Sequence, residues 1–501
     1  MLRLHASFPI ILFLISSLQM HAATLHVGMG QPYANLEAAA AAADPGDTIL
    51  IHGGTYSGGL YIENLQGTSA DWIYILAEEG EIVIFDGGNN AWQFTDAAYL
   101  YISGFIFQHQ VGNGLNFDDG GTYDTPAHDV IFDNCTFRDM NASGNNDLLK
   151  LSGLDDFEIV HCTFLNGSEG GSGIDMVGCH NGLIHQNNFE NLGSNSIQAK
   201  GGTSNITIER NFFKNGGARA LNLGGSTGLQ FFRPIDAEYE AADLKVYSNI
   251  FIGSEAPIAF VGCINSEVVN NTLFLPDKWV MRILQETVDP DRFAPCGNNT
   301  FRNNIVYIDN NVNVEVNIGP NTAPETFTFS NNLWYHSQDP SWEGPDLPVP
   351  DEDNLVGFDP LFENAAAENF SLEPGSPAIG SGLTVPEPVI DYAGEEFVTP
   401  PSIGAFEGGF TISTIDYNAA PEILVYPNPG SGNFMIAIDG HINGVVELEL
   451  FTSEGKVALA QKLSIENPGR ITFSFDGPPD VYYLILKTAE RIIAHKLIVI
   501  D

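Results

Sequence analysis

The residues of this chain that could do chemistry lie in short strand-like segments between positions 148 and 262. If side chains alternate between inside and outside, one outward column holds Lys150, Asp175, Gln198 and Asn222, and Lys200 lies in the next outward column. An amine such as Lys200 can act as a general base towards a carbon-bound proton, and amide side chains can bind hydroxyl groups. We therefore expect a polar site on one exposed sheet face, with Lys200 at its centre.

Basic residues are concentrated around this position in a strongly acidic chain. The 501 residues have a formal net charge of −44, yet residues 191–233 contain five basic residues and one acidic residue. Local cations on an anionic protein favour an anionic ligand. We expect Arg219 to pair with a carboxylate of that ligand. We also expect the nearby cations Lys214, Arg210 and Arg219 to favour the uncharged, basic form of Lys200.

Two insertions interrupt the segments, at residues 226–243 and 276–299. Long loops on a rigid repeat commonly form the rim of a binding site. The candidate substrate-binding residues in the segments and insertions are Lys150, Gln198, Asn222, Arg233, Trp279 and Arg282. Cys263 and Cys296 flank the second insertion, and whether they form a disulfide stays open because sequence does not supply the geometry.

A repeated segment predicts how these strands are stacked. Each copy has Cys or Asn at its second position and a large apolar residue two positions later. The Cys/Asn column consists of Cys135, Cys162, Asn187, Asn211, Asn249, Asn271, Asn304 and Asn332. A period of roughly 25 residues without a helix signal indicates stacked coils, with the Asn side chains forming a ladder at one turn. A leucine-rich repeat horseshoe has a similar period, but the sequence does not contain its LxxLxL signature. The repeat therefore favours a parallel β-helix.

The ends of the repeat region resemble a known superfamily. The Ala-rich segment 34–43, followed by DPGDTILIHGGTY, resembles the N-terminal cap and first coil of right-handed β-helix proteins of the pectate-lyase-like superfamily. PSIGAFEGG at 401–409 resembles a closing coil of such proteins. The resemblance spans residues 24–409 and implies a right-handed parallel β-helix domain. It does not determine the activity, because this scaffold carries lyases, hydrolases, epimerases and adhesins.

Within that superfamily, Lys200 and Arg219 resemble the lysine and arginine of β-helix lyases of the chondroitinase B and alginate lyase type. The resemblance implies that Lys200 is the catalytic base and that Arg219 neutralises a uronate carboxylate, so that an acidic polysaccharide is cleaved by β-elimination. Those lyases place acidic calcium ligands shortly before the lysine, where this chain reads Gly-Ser-Asn-Ser-Ile. Asp175 is therefore the expected Ca²⁺ ligand, with Asp147 or Asp118 as alternatives.

Other functions remain compatible with the sequence. One alternative is a non-catalytic glycan-binding surface protein or adhesin. Another is a β-helix glycoside hydrolase or epimerase. A hydrolase needs two carboxylates at the cleft, which Asp236, Glu238 or Glu240 would have to supply from the first insertion.

The two ends of the chain predict export. Residues 1–23 combine Arg3, an apolar run and small residues, the pattern of a secretory signal peptide. After a linker at 410–420, residues 421–501 alternate with period two and predict a small β-sandwich. In this segment YPNP and the terminal HKLIVID resemble the sorting domain of the type IX (Por) secretion system, which occurs in Bacteroidota. The resemblance implies the type IX secretion machinery as a partner and a secreted or cell-surface location.

The expected fold class is thus all-β, a right-handed parallel β-helix followed by a small C-terminal β-sandwich. The net charge of −44 argues against a nucleic-acid partner, because phosphate binding needs clustered cations. No apolar stretch of the mature chain is long enough for a transmembrane segment. We expect a monomer that binds an acidic polysaccharide.

Overall fold

The computed structural model describes residues 22–122, 125–408, 423–426, 432–438, 444–452, 456–465, 470–475, 477–487 and 492–499. The chain divides into two compact units, Met1–Gly409 and Phe410–Asp501. The predicted signal peptide lies outside the described residues up to position 21, and the predicted linker at 410–420 lies wholly outside them.

The first unit is a solenoid whose coils contribute strands to three long parallel sheets. The sheet that carries the candidate site, here called the site sheet, contains ten strands: Leu60–Glu63, Trp92–Thr95, Leu115–Asp118, Leu149–Ser152, Ser172–Val177, Asn195–Lys200, Arg219–Gly224, Ala256–Val261, Met281–Leu284 and Val316–Ile318. Neighbouring strands of this sheet are separated by one coil, so residues far apart in sequence become lateral neighbours.

The other two sheets complete each coil. The second sheet contains Gly54–Ser57, Val83–Asp86, Phe105–Gln108, Thr136–Arg138, Thr163–Leu165, Asn188–Glu190, Phe212–Lys214, Ile250–Ile252, Thr272–Phe274, Ile305–Ile308, Leu333–His336 and Leu355–Val356. The third contains Thr24–Val27, Thr48–Ile51, Ile73–Ala77, Ala98–Ser103, Ala127–Asp133, Leu154–Val160, His180–His185, Thr203–Glu209, Ala241–Ala242, Lys245–Tyr247, Cys263–Ile264, Glu267–Val269, Thr300–Arg302, Thr328–Ser330 and Asp351–Glu352.

The predicted asparagine ladder is present at the turn before the second sheet. From Asn187 to Asn332, each side-chain Nδ2 donates to the Oδ1 of the next asparagine at 3.0–3.2 Å. The same Oδ1 atoms accept backbone N–H groups, and each Nδ2 also donates to a backbone carbonyl. These asparagines are almost completely buried, so the ladder satisfies amide groups that water cannot reach.

The residue before each position of the Cys/Asn column has a left-handed backbone conformation, which turns the chain sharply. The φ angles are 50–56° at Asn134, His161, Gln186, Arg210, Ser248, Asn270, Asn303 and Asn331. Behind the turn, the predicted large apolar residues form a column of stacked rings inside the coils. Centroids are 4.7–4.9 Å apart from Phe137 through Phe164, Phe189 and Phe213 to Phe251.

The solenoid is covered at its N-terminal end by the α-helix Leu36–Ala40. Asn35 Oδ1 caps this helix by accepting the Ala38 N–H at 2.9 Å, and Leu36 and Ala39 are buried against the first coils. Short 3₁₀ helices occur at Leu229–Phe231, Pro324–Thr326 and Ala365–Ala367. An antiparallel pair, Phe362–Asn364 and Asn369–Leu372, lies near the other end.

The second unit is the predicted small β-sandwich. One antiparallel sheet contains Ile423–Tyr426, Gly432–Ile438 and Arg470–Phe475, and the other contains Gly444–Thr452, Val457–Ile465, Asp480–Lys487 and Ile492–Val499. Residues of both sheets, such as Phe434 and Leu484, share one apolar cluster. Among the described residues of the whole chain, no helix has the length and apolar character needed to cross a membrane.

Candidate functional site

The structure confirms the outward column predicted from the alternation. Along the site sheet, Lys150 pairs in register with Asp175, followed by Gln198, Asn222 and Ala259. The column continues at Arg282 and Asn317, which the sequence analysis had not placed in it. Lys200 lies in the neighbouring column, in register with Val177, as predicted.

This part of the sheet is covered rather than exposed, which corrects the expectation of an open face. Asp175 is fully buried, and its carboxylate receives the Lys150 ammonium as a hydrogen-bonded ion pair. Lys200 Nζ lies 3.3 Å from the other carboxylate oxygen and donates to Gln198 Oε1 at 3.0 Å. The Lys200 side chain is only 11% exposed. One buried anion therefore holds two lysines side by side.

The two lysines lower the pKa of Asp175, whereas burial has the larger effect at Asp147. Burial alone would raise the pKa of Asp175, but Lys150 and Lys200 bring it below its ordinary value. Asp147 lies next to the group, with an oxygen 4.0 Å from Lys150 Nζ. Burial, followed by repulsion from Asp175, raises the pKa of Asp147 to about 7. Although burial opposes it, the attraction of Asp175 and Asp147 raises the pKa of Lys150.

The residues around Asp175 do not fit the predicted calcium site. Calcium takes six to eight oxygen ligands, whereas both oxygens of Asp175 already face ammonium groups. The alternatives are also engaged: Asp147 accepts the Ser172 N–H at 2.8 Å, and Asp118 accepts Gln93 Nε2 at 2.6 Å.

One cluster elsewhere has metal-ligand side chains. It consists of His26, His52 and Glu78, in the first coils. The imidazole atoms His26 Nδ1 and His52 Nε2 are 2.9 Å apart and the ring centroids 5.1 Å apart. The two nitrogens therefore point at each other in a direct hydrogen bond, rather than converging on a third centre.

Arg219 lies farther from Lys200 along the sheet than predicted. It pairs in register with Asn195, at the opposite end of the strand that finishes at Lys200, so the two Cα rows are separated by roughly 16 Å. Its guanidinium group donates to Asn222 Oδ1 at 3.1 Å and to Glu286 Oε1 at 2.8 Å. Arg219 is thus held by the site sheet and by the second insertion.

Arg282 forms a second cationic group beside Arg219. Its Nε donates to Asn317 Oδ1 at 3.0 Å, and its guanidinium lies 4.5 Å from the ring centroid of Trp279. Within the described part of the chain, no carboxylate lies within salt-bridge distance of Arg282. Burial and then repulsion by Arg219 lower the pKa of Arg282. Trp279, predicted to bind substrate, therefore positions an arginine.

These side chains line a groove made of two adjoining lobes. The first lobe, of ≈ 550 Å³, is lined by Asp118, Asp119, Lys150, Phe231 and Arg233 and is called the acidic lobe. The second, of ≈ 420 Å³, is lined by Gln198, Arg219, Asn222, Arg282 and Glu286 and is called the cationic lobe. Asn145, Lys200 and Ser226 line both lobes, so Lys200 lies where they meet.

The other cations of the basic sequence window do not surround Lys200. Lys214 belongs to the second sheet and pairs with Glu368 at 2.6 Å, and Arg210 occupies a left-handed turn beside Glu209. Arg233 does line the acidic lobe, but both of its terminal nitrogens bind Asp155, at 2.6 and 2.7 Å. The predicted cation-rich neighbourhood of Lys200 is therefore wrong, because successive basic residues fall on different faces of the coil.

Glu240 ties the two insertions to the strand of Lys200. It is fully buried, and its carboxylate accepts the Gly201 N–H at 2.8 Å and the Thr227 N–H at 2.9 Å. It also accepts the hydroxyl group of Thr287 in the second insertion. Because these donors occupy its oxygens, Glu240 does not serve as a hydrolase acid, and neither Asp236 nor Glu238 lines the groove.

Cysteine and aromatic residues are buried at both insertions. Cys263 and Cys296 are buried free thiols, and Cys263 Sγ contacts Ser266 Oγ at 3.1 Å, so no disulfide joins them. Of the first insertion's aromatic residues, Phe232 packs against Phe293 in the interior, whereas Phe231 is 61% exposed in the acidic lobe.

Several groove residues were not predicted as substrate contacts from the sequence, among them Asn145, Ser226, Asp119 and Glu286. Asn145 and Ser226 belong to loops without a motif, so nothing in their sequence marked them. Asp119 directly follows the strand Leu115–Asp118, whose last residue is in register with the Lys200 column through Ser152 and Val177, so the register of the coils was the available signal. Burial raises the pKa of Asp119, while the Gly121 N–H that it accepts at 2.9 Å lowers it.

Comparison with known proteins supports the fold. Residues 82–273 match the family model "Right handed beta helix region". Comparison with curated proteins gives no match. Among solved structures, pectate lyase Pel9A is similar at 14% identity and a TM-score of 0.53, over 78% of this chain and 97% of Pel9A.

A second solved structure with the same kind of likeness is an alginate lyase from Paenibacillus sp. strain FPU-7. Its identity is 16% and its TM-score 0.37, over 67% of this chain and 99% of the lyase. At such identities a structural likeness indicates the fold alone. The three parallel sheets and the family model matched by residues 82–273 make the first unit a right-handed parallel β-helix.

Proposed function

We propose that this protein binds an acidic polysaccharide in the groove and cleaves it by β-elimination. The observation that carries the proposal is the cationic lobe. In a chain of net charge −44, Lys200, Arg219 and Arg282 face one cavity that contains a single lining carboxylate, Glu286. Such a cavity attracts a carboxylate ligand, and Arg282 has its guanidinium available for one.

The residues have roles that suit a uronate unit. Arg219 and Arg282 bind the uronate carboxylate and withdraw its charge, which makes the neighbouring C5–H group more acidic. Lys200, in its amine form, accepts that proton. The electron pair of the C5–H bond forms the C4–C5 double bond, and the C4–O4 bond breaks. The departing oxygen takes the proton back from Lys200, which restores the amine and leaves an unsaturated product.

The structural likeness to Pel9A is consistent with this proposal, since that neighbour is a pectate lyase.

A second candidate function, a non-catalytic glycan-binding protein, is favoured by a different observation. Lys200 Nζ lies 3.3 Å from the Asp175 carboxylate and donates to Gln198 Oε1 at 3.0 Å, contacts that would equally suit a lysine with a purely structural role.

One experiment separates the two candidates. Wild-type protein, Lys200→Ala and the control Lys245→Ala are incubated with uronate polysaccharides, and unsaturated ends are followed by ultraviolet absorbance. Lys245 is a matched control, because it lies on the third sheet, away from the groove, and also pairs with a carboxylate, that of Glu387. Turnover by Lys200→Ala should fall roughly a hundredfold to ten-thousandfold, whereas affinity, which loses one positive charge of the lobe, should fall by only about fivefold to tenfold.

The result can contradict the proposal in two ways. A fully active Lys200→Ala variant excludes the role given to Lys200. A wild type that binds acidic glycan without producing unsaturated ends favours the binding protein. Thermal unfolding must be measured in parallel, because Lys200 is buried and its loss leaves Asp175 with one counter-ion, so the variant is expected to be less stable.

We also propose that the protein is exported and reaches the cell surface or the medium as a monomer. The support comes from the signal-peptide pattern of residues 1–23 and from the sorting-domain resemblance of residues 421–501. An acidic polysaccharide outside the cell would be a substrate accessible only to an exported protein.

A further inference from the structure

The two lobes of the groove differ in charge although they share Lys200. In the cationic lobe, three basic groups face Glu286, and Glu286 is itself engaged by Arg219 at 2.8 Å. The positive charge of Arg282 has no salt-bridge partner among the described residues. This lobe therefore has a net positive charge that a ligand anion can neutralise.

In the acidic lobe, Lys150 and Arg233 are already paired with carboxylates, and Lys200 lies at the border with the cationic lobe. Lys150 is paired with the buried Asp175, and Arg233 is held by both oxygens of Asp155. The carboxylates that remain facing the cavity are those of Asp118 and Asp119. Both accept hydrogen bonds from neutral groups, Asp118 from Gln93 and Asn116 and Asp119 from the Gly121 N–H. Arg233 attracts the Asp119 carboxylate but forms its ion pair with Asp155, so neither Asp118 nor Asp119 has a cation as a hydrogen-bonded partner.

The acidic lobe also offers contacts that a neutral sugar can use. Phe231 is an exposed ring in its wall, and aromatic rings pack against the apolar faces of sugars. The carboxylates of Asp118 and Asp119 can accept hydrogen bonds from hydroxyl or amide N–H groups. A sugar carboxylate placed there would instead face two aspartates, and like-charge contacts of this kind are strongly unfavourable.

We infer that the ligand is an acidic heteropolysaccharide in which a uronate unit occupies the cationic lobe and an adjacent uncharged sugar occupies the acidic lobe. The groove selects against homopolymers of uronic acid, which would bring a carboxylate into both lobes. The inference rests on the proposed function for the identity of the groove as the glycan site, and it adds the composition of the polymer.

The test compares binding of two kinds of oligosaccharide of equal length to the intact wild-type protein by calorimetry. The first kind alternates uronate with N-acetylhexosamine and carries no sulfate, as in hyaluronan, unsulfated chondroitin and heparosan fragments. The second kind is oligogalacturonate or oligoguluronate. The best alternating ligand should bind at least about tenfold more tightly than either homopolymer.

A variant provides a second arm. Asp118→Asn combined with Asp119→Asn keeps the shape of the lobe and removes its charge, so homopolymer affinity should rise about tenfold while the affinity for the alternating ligand changes little. Asp156→Asn is the matched control, since Asp156 is exposed on the third sheet. Thermal unfolding of the double variant checks its fold, and the wild-type comparison stands without it.

The outcomes distinguish this inference from the proposed function. A homopolymer that binds wild type as tightly as the best alternating ligand overturns the inference, and leaves the lyase proposal in place if that homopolymer is cleaved. A preference for alternating ligands without any cleavage supports the inference and contradicts the lyase. Failure of every acidic ligand to bind overturns both.

Discussion

At the residue scale, the groove is organised around one buried carboxylate. Asp175 holds Lys150 and Lys200, and a third group, Asp147, borders the same cluster. With Asp147 protonated, the cluster carries one positive charge more than it has negative charges. With Asp147 ionised, the charges balance. The protonation of Asp147 therefore adjusts the attraction of the groove for an anion.

This arrangement predicts a pH dependence of ligand binding. Because the pKa of Asp147 is raised to about 7, affinity for an acidic oligosaccharide should fall by about fivefold to tenfold as the pH rises through that value. Asp147→Asn keeps a side-chain oxygen for the Ser172 N–H and cannot ionise, so it should retain the tighter binding above pH 7. Calorimetric titrations across this range measure the effect; a wild-type affinity that stays level there would contradict it.

The same pKa has a consequence for stability with a defined sign. Between the ordinary pKa of 3.8 and about 7, the folded protein retains the Asp147 proton while the unfolded chain loses it. The contribution of Asp147 to the free energy of unfolding therefore decreases as pH rises across this interval. In Asp147→Asn this contribution is absent.

The environment of Lys200 was the least predictable residue-scale feature. Counting charges along the chain placed Lys214 and Arg210 beside it, but neighbours in sequence turn onto different sheets within a few residues. The groups that do contact Lys200 are Asp175, one coil away, and Gln198, two residues earlier in the same strand. The outward column, by contrast, was predictable because strand alternation fixes which side chains share a face.

At the element scale, the asparagine ladder connects six coils. Asn249 illustrates its role, since its Oδ1 accepts the backbone N–H and Nδ2 of Asn211 while its own Nδ2 donates to Ile208 O and to Asn271. Removing one such side chain leaves several buried polar groups without partners in both neighbouring coils.

Asn249→Ala should therefore lower the free energy of unfolding by about 3–5 kcal/mol. Asn311→Ala is the control, because Asn311 is an exposed loop residue, and its loss should change stability by no more than about 0.5 kcal/mol. Chemical denaturation of both variants provides the comparison, and equal stabilities would mean that the ladder contributes little.

The insertions depend on another element-scale contact, the Glu240 carboxylate. Glu240→Gln keeps its size but turns an amide group towards N–H and O–H donors, which should loosen both insertions beside Lys200. If the protein is a lyase, we expect kcat/KM to fall about tenfold, mainly through KM, since the reacting groups stay in place. Glu238→Gln, at an exposed position of the same insertion, should leave both constants unchanged. A loss confined to kcat would argue against this positioning role.

At the scale of the whole molecule, the sequence was sufficient for the β-helix and the C-terminal sandwich. The repeat column and its following aromatic residues define the coil, and period-two alternation defines the sandwich strands. The two lobes were not predictable, because the insertions that close them are fixed by tertiary contacts such as Glu240 with Thr287. A resemblance to lyases suggested calcium, but the two lysines on Asp175 become apparent only in three dimensions.

Export is the prediction that belongs to the whole chain. Deleting residues 421–501 should leave a folded β-helix that stays in the periplasm of a host with type IX secretion, because the sorting resemblance lies in that segment. Fractionation of cells producing the full-length and truncated chains would locate each protein. Arrival of the truncated chain at the surface would refute the sorting role.

The ladder also gives the solenoid a net side-chain dipole along its axis. One N–H of each side-chain amide from Asn187 to Asn332 donates towards the C-terminal end, and each Oδ1 accepts from the coil before it, so the amide dipoles are aligned along the stack. Their positive end emerges at Asn332, where Nδ2 donates to Asp351 Oδ2 at 3.2 Å, and Trp334 Nε1 donates to the same oxygen at 2.7 Å. Asp351 thus terminates a row of side-chain dipoles as an acidic residue terminates the backbone dipole at a helix N-terminus.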